Sequence, residues 1–176
     1  GDQYEKINHS SDLELSEGTV SMSFRMNDET RNWIFTKDEN SCSGDCGHLS
    51  LAYKSSFINS DGLGLRLQSD SGNGDVILEP STSVDSGKWY DVAVSFGSEG
   101  TKLYVNGTLE DSDPSTKGLV NNQLPIILGH RYDLANGRGL DGDIKDFRFY
   151  SAQLDDSEIR SIHEDDQIAA PPVPGS

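Results

Sequence analysis

One short segment, residues 130–139, concentrates side chains that can bind a carbohydrate. It carries planar polar groups, which hydrogen-bond sugar hydroxyls, and an aromatic ring, which stacks on a sugar ring. The candidate ligand-binding residues are His130, Arg131, Tyr132, Asn136 and Arg138. In so acidic a chain, an arginine here could equally be the counter-ion of Asp133 or Asp141. Both interpretations stay open at this point.

Two acidic segments could supply oxygen ligands for a metal ion. Ca²⁺ binds about six to eight oxygens from carboxylates, backbone carbonyls and waters. Segment 37–45 offers Asp38 and Asp45, and segment 130–141 offers Asp133 and Asp141. These four residues are the candidate calcium ligands. A chain with 30 acidic residues also places many of them in loops by chance.

The two cysteines, Cys42 and Cys46, are separated by three residues. A structural zinc site needs four ligands, and no second pair of cysteines or histidines accompanies them beyond the nearby His48. We therefore predict a small disulfide in a surface loop, which indicates an oxidising compartment. A reduced pair is the alternative.

The charge of the chain excludes several classes of partner. It has 14 basic and 30 acidic residues and a formal net charge of −16. Such a surface repels phosphate backbones and anionic lipids, so we expect neither nucleic-acid binding nor membrane insertion. The sequence has no long apolar run and no signal peptide. It is typical of a mature soluble segment or of a piece of a longer protein.

Alternation of apolar and polar residues with a period of two dominates the chain. This pattern predicts antiparallel strands with one face on a core and the other toward water. Trp33 and Trp89 are expected in that core. The candidate strands are 20–26, 49–54, 63–68, 92–96 and 103–105, with shorter ones at 33–36, 76–78, 125–128 and 144–150.

Turn and helix signals divide the chain further. Asn106-Gly107 is a strong hairpin signal between two strands. One short amphipathic helix is expected late in the chain, capped by Asp155 or Asp156. The Pro-rich composition after Asp166 favours an extended linker. We predict one domain over residues 1–166 and a linker or tail over 167–176.

Ten to fourteen short strands in one domain predict an all-β sandwich of two antiparallel sheets. An immunoglobulin domain has roughly 100 residues, so the 176 residues here favour the jelly roll.

Five segments in order resemble the laminin-G-like jelly roll of the concanavalin A-like lectin/glucanase superfamily. They extend from residue 9 to residue 159 and include a Trp-containing strand, a hairpin and a closing strand that leads to a helix. The segments are His9 to Val20, Gly87-Lys88-Trp89-Tyr90-Asp91-Val92-Ala93-Val94-Ser95-Phe96, Lys102-Leu103-Tyr104-Val105-Asn106-Gly107, Pro125-Ile126-Ile127-Leu128-Gly129, and Leu140 to Ile159.

The resemblance implies a non-catalytic recognition module, since most relatives bind glycans or proteins. It also implies calcium at the rim of the sandwich, where loops of both sheets meet. Catalytic members carry an E-x-D-x-x-E strand that places two carboxylates across a glycosidic bond. That pattern is absent here, and the acidic clusters at 110–113 and 164–166 lack strand alternation. We therefore expect no enzyme activity.

Together these features predict a calcium-binding, lectin-like module of a larger secreted or cell-surface protein, from a bacterial source. Its expected partners are an extracellular carbohydrate and neighbouring modules of the same polypeptide, and the module itself is expected to be a monomer. The alternative is a protein-binding or spacer module in an adhesin, in which calcium only braces loops. That alternative predicts a rim without a cleft, with Tyr132 and Arg138 packed inward.

Overall fold

The computed structural model describes residues 3–39, 46–68 and 74–169. These residues form eleven strands, a short 3₁₀ helix at Ser11–Leu13 and one α-helix. The strands are β1 (Glu5–Ile7), β2 (Gly18–Met26), β3 (Asn32–Lys37), β4 (His48–Tyr53), β5 (Leu63–Gln68), β6 (Val76–Leu78), β7 (Trp89–Gly97), β8 (Gly100–Val105), β9 (Thr108–Asp113), β10 (Ile126–Leu128) and β11 (Gly142–Tyr150), and the helix is α1 (Asp156–Ala169).

The strands form two antiparallel sheets. One has six strands in the order β1-β10-β3-β4-β5-β6, and the other has five in the order β11-β2-β7-β8-β9. Sequential neighbours alternate with long crossovers, such as β10 beside β3 and β11 beside β2. The prediction of an all-β, two-sheet jelly-roll sandwich with a helix near the C-terminus is confirmed.

The core lies between the two sheets and uses the alternation that the sequence displays. In β2, Val20, Met22 and Phe24 point inward, and in β4 Leu49 and Leu51 do the same. All five side chains are at most 4 % exposed. Burying each such side chain contributes roughly 1.5–3 kcal/mol relative to leaving it in water. The hydrophobic effect therefore decides which face of each strand points toward the core.

The outer faces of the central strands are also covered, so the prediction that one face meets water is wrong there. Every residue of β3 and of β4 is buried. On the five-stranded sheet, Ile159 of α1 packs on Ala93 of β7 and Tyr104 of β8. Polar outer residues such as Ser95 are buried as well. The pattern of hydropathy does not reveal this second layer of packing.

Helix α1 begins with the predicted cap. Asp155 Oδ1 accepts hydrogen bonds from the backbone N–H groups of Ser157 and Glu158, both at 2.9 Å. Glu158 Oε2 in turn accepts from the Asp155 N–H at 2.9 Å. This reciprocal pair is a capping box. Tyr104 Oη donates to Asp156 Oδ1 at 2.7 Å and holds the first turn on the sheet.

The helix ends at Ala169, which is past the expected domain end at Asp166. Residues 170–176 lie outside the described residues, so the Pro-rich linker stays a prediction. No helix in the described ranges is long and apolar enough to cross a membrane.

The two tryptophans lie in different environments. Trp33 is 5 % exposed, whereas Trp89 is 40 % exposed, so the expectation that Trp89 fills the core is wrong. Trp89 lies on the outer face of β7, beside the cationic groups of Arg25 and Lys145 at 5.3 and 4.8 Å from the ring centroid. The next residue, Tyr90, points into the core instead.

The hairpin between β8 and β9 turns at Asn106 and Gly107, as predicted. Their φ angles are 50° and 75°, and Val105 pairs with Thr108 across the turn. Two positive φ angles in a two-residue loop are the geometry that Asn-Gly favours.

One lysine is buried at the end of β3. Lys37 Nζ donates to the backbone oxygens of Asn122 and Leu124 at 2.6 and 2.8 Å, and to Asn122 Oδ1 at 3.0 Å. Burial lowers the pKa of Lys37 from its ordinary 10.5 to about 8, although Glu14 opposes this effect. The charged form is therefore less favourable in the folded chain than in the unfolded chain.

We expect the free energy of unfolding to rise between about pH 8 and 10.5, because only the unfolded chain holds the Lys37 proton there. The contribution totals about 3 kcal/mol. Urea denaturation across this range compares the wild type with Lys37→Met, which should lose this part of the slope. The exposed Lys6 provides a control, since Lys6→Met should keep it. An equal slope in wild type and Lys37→Met would contradict the prediction.

Candidate functional site

A buried carboxylate organises the outer face of the six-stranded sheet. Asp38 follows β3 directly and is 4 % exposed. Its Oδ2 accepts hydrogen bonds from Ser50 Oγ at 2.5 Å and from Arg66 Nη2 at 2.7 Å. Its Oδ1 lies 3.1 Å from His48 Nδ1. Since Ser50 and Arg66 face each other across β4 and β5, one side chain ties three neighbouring strands together.

The surroundings keep Asp38 ionised. Burial alone would raise the pKa of this carboxyl, but the contact with His48, the hydrogen bonds from Ser50 and Arg66 and the charge of Arg66 outweigh it. The net result is a pKa below the ordinary value. Buried ion pairs of this kind depend on hydrogen bonds that satisfy the remaining lone pairs.

A cavity of about 210 Å³ lies on the same outer face. Its wall combines aromatic rings, two arginines, one carboxylate and neutral polar groups from β3, β5 and three loops. The wall residues are Trp33, Glu39, Ser56, Phe57, Arg66, Gln68, Arg131 and Tyr132. Glu39 and Ser56 are exposed, so the cavity opens to solvent between them.

Aromatic rings hold the two arginines in place. The Arg131 guanidinium carbon lies 4.8 Å from the ring centroid of Tyr132 and 5.8 Å from that of Trp33. The Arg66 guanidinium carbon lies 5.2 Å from the centroid of Phe57. Trp33 and Phe57 pack edge to face at 5.9 Å. Such stacking fixes the cationic groups before any ligand arrives and lowers the entropy lost on binding.

Some donors in the wall have no hydrogen-bond partner in the described part of the chain. They are buried nitrogens of Trp33 (Nε1), Arg66 (Nε) and Arg131 (Nε). An unsatisfied buried donor costs about 1–3 kcal/mol. Each of these three atoms is itself closed to solvent, so neither water nor a ligand in the open cavity reaches it in this conformation.

The structure brings together two of the five predicted ligand-binding residues. Arg131 and Tyr132 both line the cavity. His130 is 2 % exposed and packs edge to face on Tyr4, so it supports the loop from below. Asn136 and Arg138 do not line the cavity.

The three predicted calcium ligands that the structure describes, Asp38, Asp133 and Asp141, do not form one cluster. Asp38 is paired with Arg66, and Asp133 Oδ2 lies 3.0 Å from Arg131 Nη2. This confirms the counter-ion interpretation of Arg131. Asp141 is exposed, and its Oδ1 accepts from Asn27 Nδ2 at 3.0 Å. A carboxylate that already binds a guanidinium is a poor cation ligand, so Asp38 and Asp133 do not fit a calcium ion.

Part of the predicted chemistry lies outside the described residues. Asp45 and Cys42 belong to segment 40–45, which the structure does not describe. The calcium ligand Asp45 and the disulfide between Cys42 and Cys46 therefore stay predictions. In the described ranges, no group of three or more His, Cys, Asp or Glu side chains is arranged to hold a metal ion.

The acidic cluster at 110–113 has a structural role. Glu110 accepts hydrogen bonds from Ser81 and Thr82, including two hydroxyl donors at 2.6 Å. Asp111 Oδ2 accepts from the backbone N–H of Glu79 at 2.9 Å. These contacts brace the connection after β6 against β9.

Sequence reasoning missed most of the cavity, although one signal was visible. Arg66 lies between the inward-facing Leu65 and Leu67 of β5, so the alternation already placed its cation on the outer face. Trp33 and Phe57 gave no comparable signal, because their approach to Arg66 and Arg131 depends on pairing between distant segments.

The fold agrees with the family comparison. A laminin G model of the concanavalin A-like lectin/glucanases superfamily matches residues 1–160. The chain therefore belongs to this superfamily. A search of curated protein sequences gave no significant match.

Several solved structures share the fold. The CBM40 module of the Ruminococcus gnavus IT-sialidase, bound to α2,3 sialyllactose, is 19 % identical with a TM-score of 0.66, and the match covers 93 % of this chain and 100 % of that one. Domain 4 of an extracellular GH43 arabinanase from Geobacillus stearothermophilus, in complex with arabinotriose, is 19 % identical with a TM-score of 0.64, over 84 % of this chain and 66 % of that one. A heptameric SAP-like pentraxin from Limulus polyphemus is 18 % identical with a TM-score of 0.61, over 85 % and 70 %. At these identities the likeness shows the fold alone.

We expect Asp38→Asn to lower the free energy of unfolding at pH 7 by about 3 kcal/mol, because it leaves the cation of Arg66 without its partner. Asp38 has a lowered pKa in the folded chain, so its contribution is complete above the ordinary value of 3.8 and is lost as the pH falls through the folded-state value. The difference between wild type and variant should therefore shrink in acid. Urea denaturation at pH 3 to 7 measures it.

The matched control is Asp61→Asn. Asp61 lies 3.4 Å from Lys54 Nζ, but its side chain is 88 % exposed. Exposed ion pairs contribute about 0–1 kcal/mol, so this variant should stay close to wild type. Equal losses in the two variants would contradict the role assigned to Asp38.

Proposed function

We propose that the chain is a non-catalytic carbohydrate-binding module that holds its ligand in the cavity of Trp33, Arg66, Arg131 and Tyr132. The observation that carries the proposal is the combination of hydroxyl-binding groups and aromatic rings around one open cavity on a rigid sheet. Planar donors recognise sugar hydroxyls, and aromatic faces pack on sugar rings. These are the two contacts that a lectin needs.

The size of the cavity suggests the length of the bound segment. Its 210 Å³ is below the roughly 300–1,000 Å³ of sites for drug-sized ligands. A single sugar unit of a longer chain fits this volume better than an oligosaccharide buried along its length. We therefore propose that the module binds a terminal or protruding sugar unit.

The neighbours in fold support the same class of ligand. Two of them are modules whose structures contain sialyllactose and arabinotriose. Both belong to larger extracellular or glycan-degrading proteins by their names, which supports a similar setting for this chain. Secretion, adhesion and attachment to neighbouring modules belong to this proposal.

A protein-binding or spacer module is less well supported. That alternative predicted a rim without a cleft and with Tyr132 packed inward. Tyr132 is instead half-buried in the wall of an open cavity.

We expect Tyr132→Ala to reduce affinity for the bound glycan at least about tenfold, because both the stacking ring and the hydroxyl that accepts from Arg131 are lost. Tyr132→Phe keeps the ring and should lose less. A glycan array identifies the ligand, and isothermal titration with the best-bound member compares the variants.

Trp89→Ala is the matched control for this series. Trp89 is also an exposed aromatic residue beside an arginine, but it lies on the other sheet. The affinity should be unchanged by its removal. Loss of binding in Trp89→Ala, with full binding in Tyr132→Ala, would show that the ligand binds to the five-stranded sheet. That result would contradict the proposed site.

Calcium enters as a separate part of the proposal. Since Asp38 and Asp133 hold arginines, calcium binding would depend on Asp141 and on Asp45. We expect calcium to raise the melting temperature relative to chelator by mass action, and Asp45→Asn to abolish that rise. Asp12→Asn, which removes an acidic residue of the 3₁₀ helix, should keep it. A melting temperature that does not change with calcium would contradict this part.

A further inference from the structure

Each arginine in the cavity wall is already paired with a carboxylate. Arg66 Nη2 lies 2.7 Å from Asp38 Oδ2, and Arg131 Nη2 lies 3.0 Å from Asp133 Oδ2. The guanidinium groups can still donate hydrogen bonds from their other nitrogens. Their charge, however, is not available to a ligand without competition.

In the first pair, an anionic ligand cannot readily replace Asp38 as the partner of Arg66. The side chain of Asp38 is fully buried, and that of Arg66 is 19 % exposed. An anionic ligand would have to leave Asp38 buried without its cation, which is strongly unfavourable. The second pair is more open, since the side chains of Arg131 and Asp133 are 18 % and 34 % exposed.

A third carboxylate adds negative charge to the wall. Glu39 lines the cavity, is exposed, and has no ion-pair partner in the described part of the chain. With Asp38 and Asp133 behind the wall counted, the two arginines and three carboxylates carry a formal charge of −1. The chain around it carries a net charge of −16.

We propose that this site selects neutral glycans and rejects sugars that carry a carboxylate, such as sialic or uronic acids. The inference rests on the proposed carbohydrate-binding function and specifies its ligand class. The arginines act as donors of hydrogen bonds to hydroxyl groups rather than as anion receptors. Rejection comes from Glu39 and from the two carboxylates that already occupy the guanidinium groups, because like charges brought together oppose binding.

The experiment compares matched ligands on the wild-type protein. The neutral glycan that binds best in an array is oxidised at C6 to its uronic acid, and that acid is also converted to its methyl ester. Titration calorimetry should give an affinity for the acid at least about tenfold weaker than for the methyl ester. The methyl ester lacks the C6 hydroxyl, as the acid does, but it is neutral. It therefore controls for the loss of that hydroxyl. The array also contains α2,3 sialyllactose and lactose, which compare a carboxylated glycan with its neutral counterpart.

Two variants locate the source of the selectivity. Asp133→Asn frees the charge of Arg131, so the difference between acid and ester should fall to about threefold or less. Asp143→Asn makes the same change of net charge, but it frees Arg25 on the other sheet, whose Nη2 lies 2.5 Å from Asp143 Oδ2. This control should keep the tenfold difference.

The outcomes separate the two proposals. Binding of carboxylated glycans as tightly as their neutral counterparts would overturn the selectivity and leave the carbohydrate-binding function intact. An equal effect of Asp133→Asn and Asp143→Asn would also overturn it, since net charge and not the local pair would then decide. The absence of binding to every glycan of the array would overturn the proposed function, and the selectivity with it.

Discussion

The ion pair between Asp38 and Arg66 is the interaction on which the functional face depends. It lies on the outside of the six-stranded sheet, where the packing of the sandwich core cannot fix side chains. Ser50 completes the link from β3 through β4 to β5. Because Arg66 is held from one side by Asp38 and from the other by the ring of Phe57, it forms a rigid wall rather than a mobile surface arginine.

A second contact accounts for the burial of the central strand β3 on both faces. Thr36 donates to the backbone oxygen of His130 at 3.2 Å, which brings the loop after β10 over the outer face of β3. Polar side chains can be buried there because each hydrogen bond compensates the loss of water. The loop then carries Arg131 and Tyr132 to the position opposite Arg66. The loop that covers the outer face of the sheet therefore also supplies two residues of the candidate site.

The fold could be predicted from the sequence because its main signals are local. Alternation in β2 and the Asn106-Gly107 turn each report on their own neighbourhood, and both were interpreted correctly. For Trp89, the alternation of inward and outward residues gives the correct side, but the prediction from residue type does not. It precedes the inward-facing Tyr90, so its phase places it outside, although large aromatic residues favour burial.

Only part of the candidate site could be predicted from the sequence, because its residues come from segments that are far apart in the chain. Arg131 and Tyr132 are adjacent in sequence and could be predicted from residue type. Trp33 and Arg66 belong to other strands, and no local pattern relates them to that loop. The calcium ligands stay a prediction, because residue type alone cannot say whether a carboxylate already faces a cation. Asp133 follows Arg131 by two residues and pairs with it.

Charge compensation also accounts for how an acidic protein could use arginines to bind the neutral ligand that we propose. A free guanidinium on a surface of net charge −16 would attract small anions and would be mobile. Pairing each guanidinium with a carboxylate removes that attraction but keeps the remaining N–H groups in fixed directions. Stacking on Trp33, Phe57 and Tyr132 orders the same groups without adding charge. The site thereby gains rigid donors beside apolar surface, which is the combination that hydroxyl-rich, uncharged ligands require.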